Sequence, residues 1–497
     1  MEYLFKDISK KTFLFIILAE LISYSAFIFH SFNNFAFWAV VILILALAIK
    51  KLEYGVWIAC AELFIGSKGY LFYFDYKGIV ISIRLALWLI IMSVWLAGIL
   101  YHWARKKNLK IEFFNSKFFP YFFIFSIFIL LGLINGYLSH NAYDNIFFDF
   151  NGWLYLLLIF PFYAAIKNNN GINKLLQIFS ASIIWLSLKT LILLYFFSHD
   201  IYGILENAYK WARTTGVGEI TQIQGGFFRI FFQSHIYILI GLSILIFYLL
   251  KILVNKQEKK EIIYNFLILI LFFSIILISF SRSFWIGLIA GLIIFYIYLF
   301  WQKIKWQVII NLTGLILFSS VLGLALIILV AQFPYPHPAS GFNTAELITK
   351  RAGQIEGEAA VSSRWDLLPV LWLKIKDNLF LGQGFGSTVT YASSDPRVLE
   401  NNPSGSYTTY AFEWGWLDIW LKLGLWGLIS YLILIGKLCI RAFSDKNNYL
   451  FLSLGLGIII VSVVSIFSPY SNHPLGIGLL IIISLILDNK MPSANTE

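Results

Sequence analysis

Long apolar runs recur along this sequence and constrain its fold more than any other feature. They lie near 12–29, 35–49, 53–65, 79–101, 118–134, 150–166, 175–197, 227–250, 264–280, 284–301, 307–331, 411–436, 449–467 and 474–488. A bilayer core roughly 30 Å thick takes about 20 helical residues, so the shorter runs span it only with distortion. We therefore predict an all-α polytopic membrane protein with about 14 (12–14) transmembrane helices.

The composition excludes several other classes of protein. Of the 497 residues, 59% are hydrophobic and 13% are charged, whereas about a quarter of the residues in a soluble domain are charged. A membrane β-barrel would alternate its apolar residues, and these runs are continuous. The net charge of +11 reflects basic connections between the runs, so no nucleic-acid partner is predicted. With two cysteines, Cys60 and Cys439, neither a metal nor another cofactor is predicted.

Basic residues predict the orientation of the chain. They lie in every second connection, at Lys50 and Lys51, Arg105 to Lys110, Lys167 and Lys174, Lys251 to Lys260, Lys303 and Lys305, and Arg441 with Lys446. This pattern places both termini in the cytoplasm. The predicted external connections are 30–34, 66–78, 135–149, 198–226, 281–283, 332–410 and 468–473. The chain then divides into transmembrane helices 1–11 (1–331), a long external, periplasmic loop (332–410), and C-terminal transmembrane helices with a short cytoplasmic tail (411–497).

The external loop 332–410 contains a predicted amphipathic helix. Ser363 and Asp366 resemble a capping box. Apolar residues follow at helical spacing, at Trp365, Leu368, Trp372, Ile375 and Leu379. Pro369 would bend such a helix. We predict that it lies on the outer membrane surface.

Several arginines depart from the orientation rule. Arginines at or beyond external span ends are Arg213, Arg229, Arg282, Arg351 and Arg364. A charge near hydrocarbon is costly and usually faces a polar cavity or a partner. The alternatives are snorkelling to the interface or pairing with an acidic neighbour such as Glu206, Glu219 or Asp366. Because the planar arginine fork suits phosphate oxygens, the cluster suggests a diphosphate lipid. A simple anionic phospholipid or a transported anion fits less well.

Glu413 is the candidate general base. It begins a span beside Trp414 and Trp416, and a carboxyl against aromatic rings with little water has a raised pKa. The alternative is an interfacial glutamate that is hydrogen-bonded at a helix N-terminus. Asp418 is predicted to be structural because Lys422, four residues on, neutralises it.

Other polar candidates are weaker. His235 is predicted to be a core histidine with its hydrogen bonds satisfied, whereas His337 and His473 are external and nothing local singles them out. The turn LGQGFG at 381–386 is predicted to bring its backbone close to a bound sugar or phosphate, through Gly384 and Gly386.

The order of these motifs resembles a known family. SRSFWIG at an outer span end, then Arg364-Trp365-Asp366 with an apolar helix, LGQGFG, and a span ending in KLGLWGL are similar to the O-antigen ligase and polymerase superfamily. The similarity covers about 225–428. It implies a bacterial membrane glycosyltransferase in the cytoplasmic (inner) membrane, with its active face on the periplasmic side.

The resemblance also implies roles for the arginines. Arg282 corresponds to the arginine of the family's S-R turn, and Arg364 to the one before the glycine-rich turn. Arg229 matches an arginine at an earlier span end, with Arg213 as the alternative. Their implied role is to hold the diphosphate of a polyprenyl-linked glycan.

One position departs from the family pattern. Ligases of this family usually carry a histidine eleven residues before the first glycine of the closing motif, and Glu413 stands there in this sequence. The implied catalytic residues are then Glu413 and Arg282. Trp365 and Trp414, together with Gly384 and Gly386, are the predicted contacts to the glycan.

These features predict a metal-independent polysaccharide polymerase. Its donor and its acceptor would both be polyprenyl-diphosphate-linked oligosaccharides in the membrane lipid, and a chain-length regulator is a further candidate partner. The alternatives are an O-antigen ligase, which moves the glycan to a lipid or protein, and a flippase for lipid-linked oligosaccharides. The sequence shows no internal repeat of the kind found in transporters, and its distinctive residues lie at one face, which favours an enzyme.

Overall fold

The computed structural model describes residues 7–105, 110–201, 203–216, 218–256, 259–337, 339 and 359–489. Helices dominate this part of the chain. They are α1 (Asp7–Ile28), α2 (His30–Lys50), α3 (Leu52–Ile65), α4 (Ile83–Ala104), α5 (Phe119–Leu138), α6 (Tyr143–Leu154), α7 (Ile159–Ala165), α8 (Asn169–Ser198), α9 (Leu205–Gly216), α10 (Ile236–Asn255), α11 (Lys259–Ile278), α12 (Arg282–Trp301), α13 (Trp306–Ala331), α14 (Ala359–Asp377), α15 (Pro396–Asn401), α16 (Gly415–Ser444), α17 (Tyr449–Phe467) and α18 (Pro474–Asp488).

The all-α polytopic prediction is confirmed. Within the described residues, 12 helical segments are long and apolar enough to cross a membrane, the lower end of the predicted 12–14. The predicted spans at 53–65 and 474–488 are short helices of 14 and 15 residues. Every residue from Leu475 to Leu487 in α18 is buried. A helix that is apolar on all sides belongs inside a bundle, so α18 packs against protein and not against lipid.

Three antiparallel hairpins accompany the helices. They pair β1 (Tyr73–Tyr76) with β2 (Ile79–Ser82), β3 (Gly218–Gln224) with β4 (Phe227–Phe232), and β5 (Val389–Ala392) with β6 (Ser406–Thr409). The second hairpin corrects the predicted span at 227–250, because its first six residues form β4 and the helix begins at Ile236. The run FFRIFF is aromatic and β-branched, which suits a strand.

Two of the connections predicted to be external, 66–78 and 468–473, contact the segment after β4 at one end of the bundle. Ser67 contacts Ser234, with 3.2 Å between their hydroxyl oxygens, and Tyr470 donates to the carbonyl of Gln233 at 3.0 Å. We call this end, which carries the hairpins at 73–82, 218–232 and 389–409, the hairpin end. At the other end two of the predicted cytoplasmic connections are in contact, since Lys167 pairs with Glu112 at 3.0 Å.

Helix α16 is broken where a segment of the 332–410 connection inserts into it. Gly424 has φ 72° and ψ 177°, a left-handed φ that favours glycine. The inserted turn, residues 378–386, supplies the missing hydrogen bonds: Leu425 N donates to Leu379 O at 2.9 Å, and Gln383 N donates to Leu421 O at 2.6 Å. Since Gly424 lies nine residues into α16, the turn reaches about 14 Å below the helix start. Irregular backbone at such depth must be buried in protein.

Gly384 is essential to this insertion. A Cβ built there would lie 2.0 Å from the Gly136 nitrogen, and its φ is 80°. We expect Gly384→Ala to destabilise the protein by at least about 2 kcal/mol through overpacking and left-handed strain. Thermal unfolding in detergent measures this. The control is Gly436→Ala in α16, where a Cβ has nothing within 4 Å; equal melting temperatures for both variants would contradict the packing.

Helix α14 corrects the predicted apolar stripe in part, since of its members Ile375 is buried and the two tryptophans are not. Its buried residues are Leu367, Leu371 and Ile375, at 3%, 0% and 1% exposure, and they pack with Phe412 and Leu421. Trp365 and Trp372, assigned to the same stripe, are 51% and 37% exposed. Ser363 lies inside the helix, and its hydroxyl contacts Ser393 at 2.8 Å, so it does not cap the helix. It lies against α16, with a second apolar face exposed.

Candidate functional site

Arg229 projects from the second hairpin onto the end of α11. Its Nε donates to the carbonyl of Ser279 at 2.7 Å, and its Nη1 donates to Glu219 at 2.8 Å. The side chain is 18% exposed. The predicted alternative of pairing with Glu219 is therefore realised. The hydrogen bond to Ser279 places Arg229 beside the turn that carries Arg282.

Arg282 is the first residue of α12 and is half-buried. The turn before it is tight, with Phe280 at φ 45°. The Ser281 and Ser283 hydroxyl oxygens are 3.1 Å apart, and Ser468 donates to Ser283 at 3.3 Å. The positive end of a helix also favours an anion here. The 468–473 connection is thus in contact with the S-R turn.

Arg364 and Glu413 form an ion pair, with side chains 43% and 50% exposed. Trp414 reinforces it: its indole nitrogen donates to the carbonyl of Arg364 at 3.0 Å, and its ring meets that of Trp365 edge-on at 5.3 Å. The expected aromatic enclosure of Glu413 is wrong. Trp416 points into the bundle, where its indole nitrogen donates to Ser462, and the Glu413 carboxylate is reachable by water.

The 468–473 connection joins these two groups of residues. A Cβ on Gly415 would lie 3.0 Å from the Pro469 Cα, and the Trp414 ring is 5.7 Å from Phe467. Ser468, next to both, contacts Ser283. These contacts therefore link the segments that carry Arg229, Arg282, Glu413 and Arg364. The structure brings these four side chains to the hairpin end.

Arg213 and Arg351 do not join this group. Arg213 lies on α9 and is exposed, while the buried residues of that helix are Ala208, Trp211, Ala212 and Thr215. Arg351 falls outside the described residues. Between the two matches considered for an early span end, the geometry favours Arg229.

The glycines of LGQGFG contact protein backbone. Gly384 abuts Gly136, and a Cβ on Gly386 would lie 2.6 Å from the Ile146 nitrogen. Gly384 and Gly386 are both buried. The sequence predicted that a bound sugar or phosphate lies close to this backbone. In the structure, helix α5 lies there at Gly384 and helix α6 at Gly386. Packing alone accounts for both glycines.

A buried charge cluster lies beneath the site. Lys422 Nζ is 2.5 Å from oxygens of both Asp418 and Asp149, so the predicted structural role of Asp418 is confirmed. Asp149, assigned to an external connection, instead lies in α6 and is 9% exposed at its side chain. The sequence offered no signal for this pairing across 273 positions.

His235 and His473 do not supply an alternative base. His235 is fully buried beside Thr190, 3.0 Å from its hydroxyl, as predicted for a core histidine. Burial, with a smaller contribution from the Arg84 charge, lowers the pKa of His473 to about 3, and its ring caps α18. In the described ranges, no three His, Cys, Asp or Glu side chains gather as a metal site would require.

Comparison with known proteins finds a similarity over part of the chain. No curated protein and no solved structure matches it. Residues 267–432 match the O-antigen ligase family model. The matched segment contains Arg282, Arg364, Glu413 and the inserted turn, and the helices before it lie outside the match. This match to the O-antigen ligase family model agrees with the resemblance seen in the motifs of the chain.

Proposed function

We propose that this protein is a polysaccharide polymerase of the cytoplasmic membrane. It transfers a glycan from a polyprenyl diphosphate to the hydroxyl of another lipid-linked repeat unit. The observation that carries the proposal is the convergence of Arg229, Arg282, Arg364 and Glu413 at one end of an apolar helix bundle. Three of the four lie within residues 267–432, which match the family model.

The arginines fit the departing diphosphate. As the bond between the anomeric carbon and the diphosphate oxygen breaks, negative charge develops on the leaving group, and fixed cations stabilise it. A diphosphate bound here competes with Glu219 for Arg229 and with Glu413 for Arg364. Both pairs are partly exposed, so their exchange for a phosphate partner costs little.

Glu413 fits the role of the base. The acceptor hydroxyl oxygen attacks the anomeric carbon, its proton passes to the Glu413 carboxylate, and the configuration at that carbon is inverted. A half-exposed carboxylate admits a bulky sugar acceptor. The exposed face of Trp365 beside Trp414 offers an aromatic surface on which a sugar ring can stack. We leave Gly384 and Gly386 out of the glycan-binding surface, because protein fills the space around them.

The glutamate at the histidine position favours a polymerase over a ligase, and the charges grouped at one end favour an enzyme over a flippase. The proposed orientation has both termini in the cytoplasm and the hairpin end outside. In this orientation the donor must be supplied from the outer leaflet. A chain-length regulator is a further candidate partner.

Reconstitution tests this proposal. Purified protein in proteoliposomes is given a synthetic polyprenyl-diphosphate repeat unit with a fluorescent sugar, and the products are separated by gel electrophoresis. We expect a ladder of lengthened glycans that remain lipid-linked. Transfer only to an added lipid acceptor would identify a ligase, and lipid movement without bond formation would contradict enzymatic transfer.

A further inference from the structure

We propose that Lys422 is a positioning residue for Glu413 and that it acts with Asp149 and Asp418 from inside the bundle. The inference rests on the proposed function and adds a part of the machinery that does not touch substrate. The proposal is based on the segments of the site that contact the Lys422 ammonium and its two carboxylate partners.

The ammonium binds two helices together. It lies 2.5 Å from Asp149 of α6 and 2.5 Å from Asp418 of α16. The three side chains are 4%, 9% and 3% exposed. Buried charges are tolerated only with close pairing and good geometry, because each has lost its water. The cluster therefore fixes the separation of α6 and α16 more strictly than apolar packing would.

Phe412 connects this cluster to the base. The Lys422 ammonium is 5.5 Å from the centroid of the Phe412 ring, a distance at which a cation is attracted to an aromatic face. Phe412 is 2% exposed and packs with Leu367 and Leu371 of α14, the helix that carries Arg364. Glu413 is the next residue. The Lys422 cation thus holds Phe412, the residue before Glu413, against α14, the helix that carries Arg364.

The two carboxylates extend the cluster to the rest of the site. The second oxygen of Asp149 accepts a hydrogen bond from Gly386 N at 2.9 Å, at the end of the inserted turn. Asp418 accepts from the Asn472 amide, in the connection whose Ser468 contacts Ser283 beside Arg282. The segments that carry Arg282, Arg364 and Glu413 are therefore all linked to this cluster by these contacts.

Such support is needed because the Arg364–Glu413 pair is exposed. An ion pair of this exposure contributes little to its own geometry, whereas a base displaced by about 1 Å from its acceptor loses on the order of 10²-fold in rate. The buried cluster supplies the rigidity that the surface pair lacks.

Kinetics of Lys422→Met and Phe412→Leu in proteoliposomes test the proposal. We expect kcat, normalised to folded protein, to fall roughly 10- to 10²-fold with the donor KM changed less than about threefold. The acid limb of the kcat/KM–pH profile, which reports the free enzyme in which Glu413 pairs with Arg364, should move to higher pH, because a carboxylate that drifts from Arg364 binds its proton more tightly. Lys422→Arg, which keeps the cation, should recover part of the loss.

The matched control is Lys189→Met, which breaks another buried pair, Lys189–Glu20, at 2.5 Å with side chains 10% and 4% exposed. It should lower thermal stability and leave the pH profile unchanged. Should Lys422→Met fail to fold, Phe412→Leu still tests the link, since it leaves the ion cluster intact. An unchanged kcat and pH profile in Phe412→Leu would overturn the proposal. An inactive wild type would instead contradict the proposed function, so the two failures are distinguishable.

Discussion

Replacing Glu413 by Gln is expected to lower kcat for glycan transfer by roughly 10²- to 10⁴-fold, the range found for loss of a general base. Glutamine keeps the size of the side chain and a hydrogen bond toward Arg364, but it cannot accept the hydroxyl proton. Chain growth in proteoliposomes measures the loss, with the amount of folded protein determined in parallel.

The fold of this variant should remain intact. The ion pair with Arg364 is about half exposed, so removing its charge costs at most about 1 kcal/mol. Glu400→Gln is the matched control, because Glu400 is an exposed glutamate thirteen residues before Glu413 and outside the proposed site. If Glu413→Gln elongates glycans at the wild-type rate, Glu413 is not the base.

Arg282→Gln is expected to lower kcat by about 10²- to 10³-fold, as for removal of one donor to a developing negative charge. Arg282 begins α12 in the turn that Arg229 and Ser468 both approach. Its loss therefore removes positive charge where the diphosphate is proposed to leave. Arg282→Lys should recover only part of the activity, since an ammonium lacks the two-pronged fork.

Initial rates at saturating donor measure this effect. Lys210→Gln is the control, because Lys210 is an exposed cation on α9 that is paired only locally with Glu206. Equal activity of Arg282→Gln and Lys210→Gln would exclude a role for Arg282 in stabilising the leaving group.

The sequence predicted the membrane-spanning architecture well, because long continuous apolar runs fit neither a soluble domain nor the alternating strands of a β-barrel. It extended the predicted span at 227–250 over β4, because the apolar run FFRIFF leads almost directly into the apolar helix α10. For α14, two apolar faces share helical spacing. Periodicity alone does not reveal that Leu367 and Leu371 meet α16 while Trp365 and Trp372 stay exposed.

The site was predictable in its residues but not in its pairings. Arg282, Arg364 and Glu413 stand out by residue type and by position at span ends. Their partners come from distant segments: Glu413 lies 49 positions after Arg364, and Asp149 pairs with Lys422 across 273 positions. The glycines of the inserted turn show a related limit. Glycine marks a close approach, and only the fold shows that helices α5 and α6, and not a sugar, make it.

The stoichiometry of the reaction tests the central claim most directly. Proteoliposomes with the wild-type protein are given a doubly labelled donor, and free polyprenyl diphosphate and new glycosidic bonds are counted in the same sample. We expect one polyprenyl diphosphate for each bond formed, and neither product with Glu413→Gln. Movement of intact donor across the bilayer, with no diphosphate released and no bond formed, would contradict glycosyl transfer and leave a flippase as the better description.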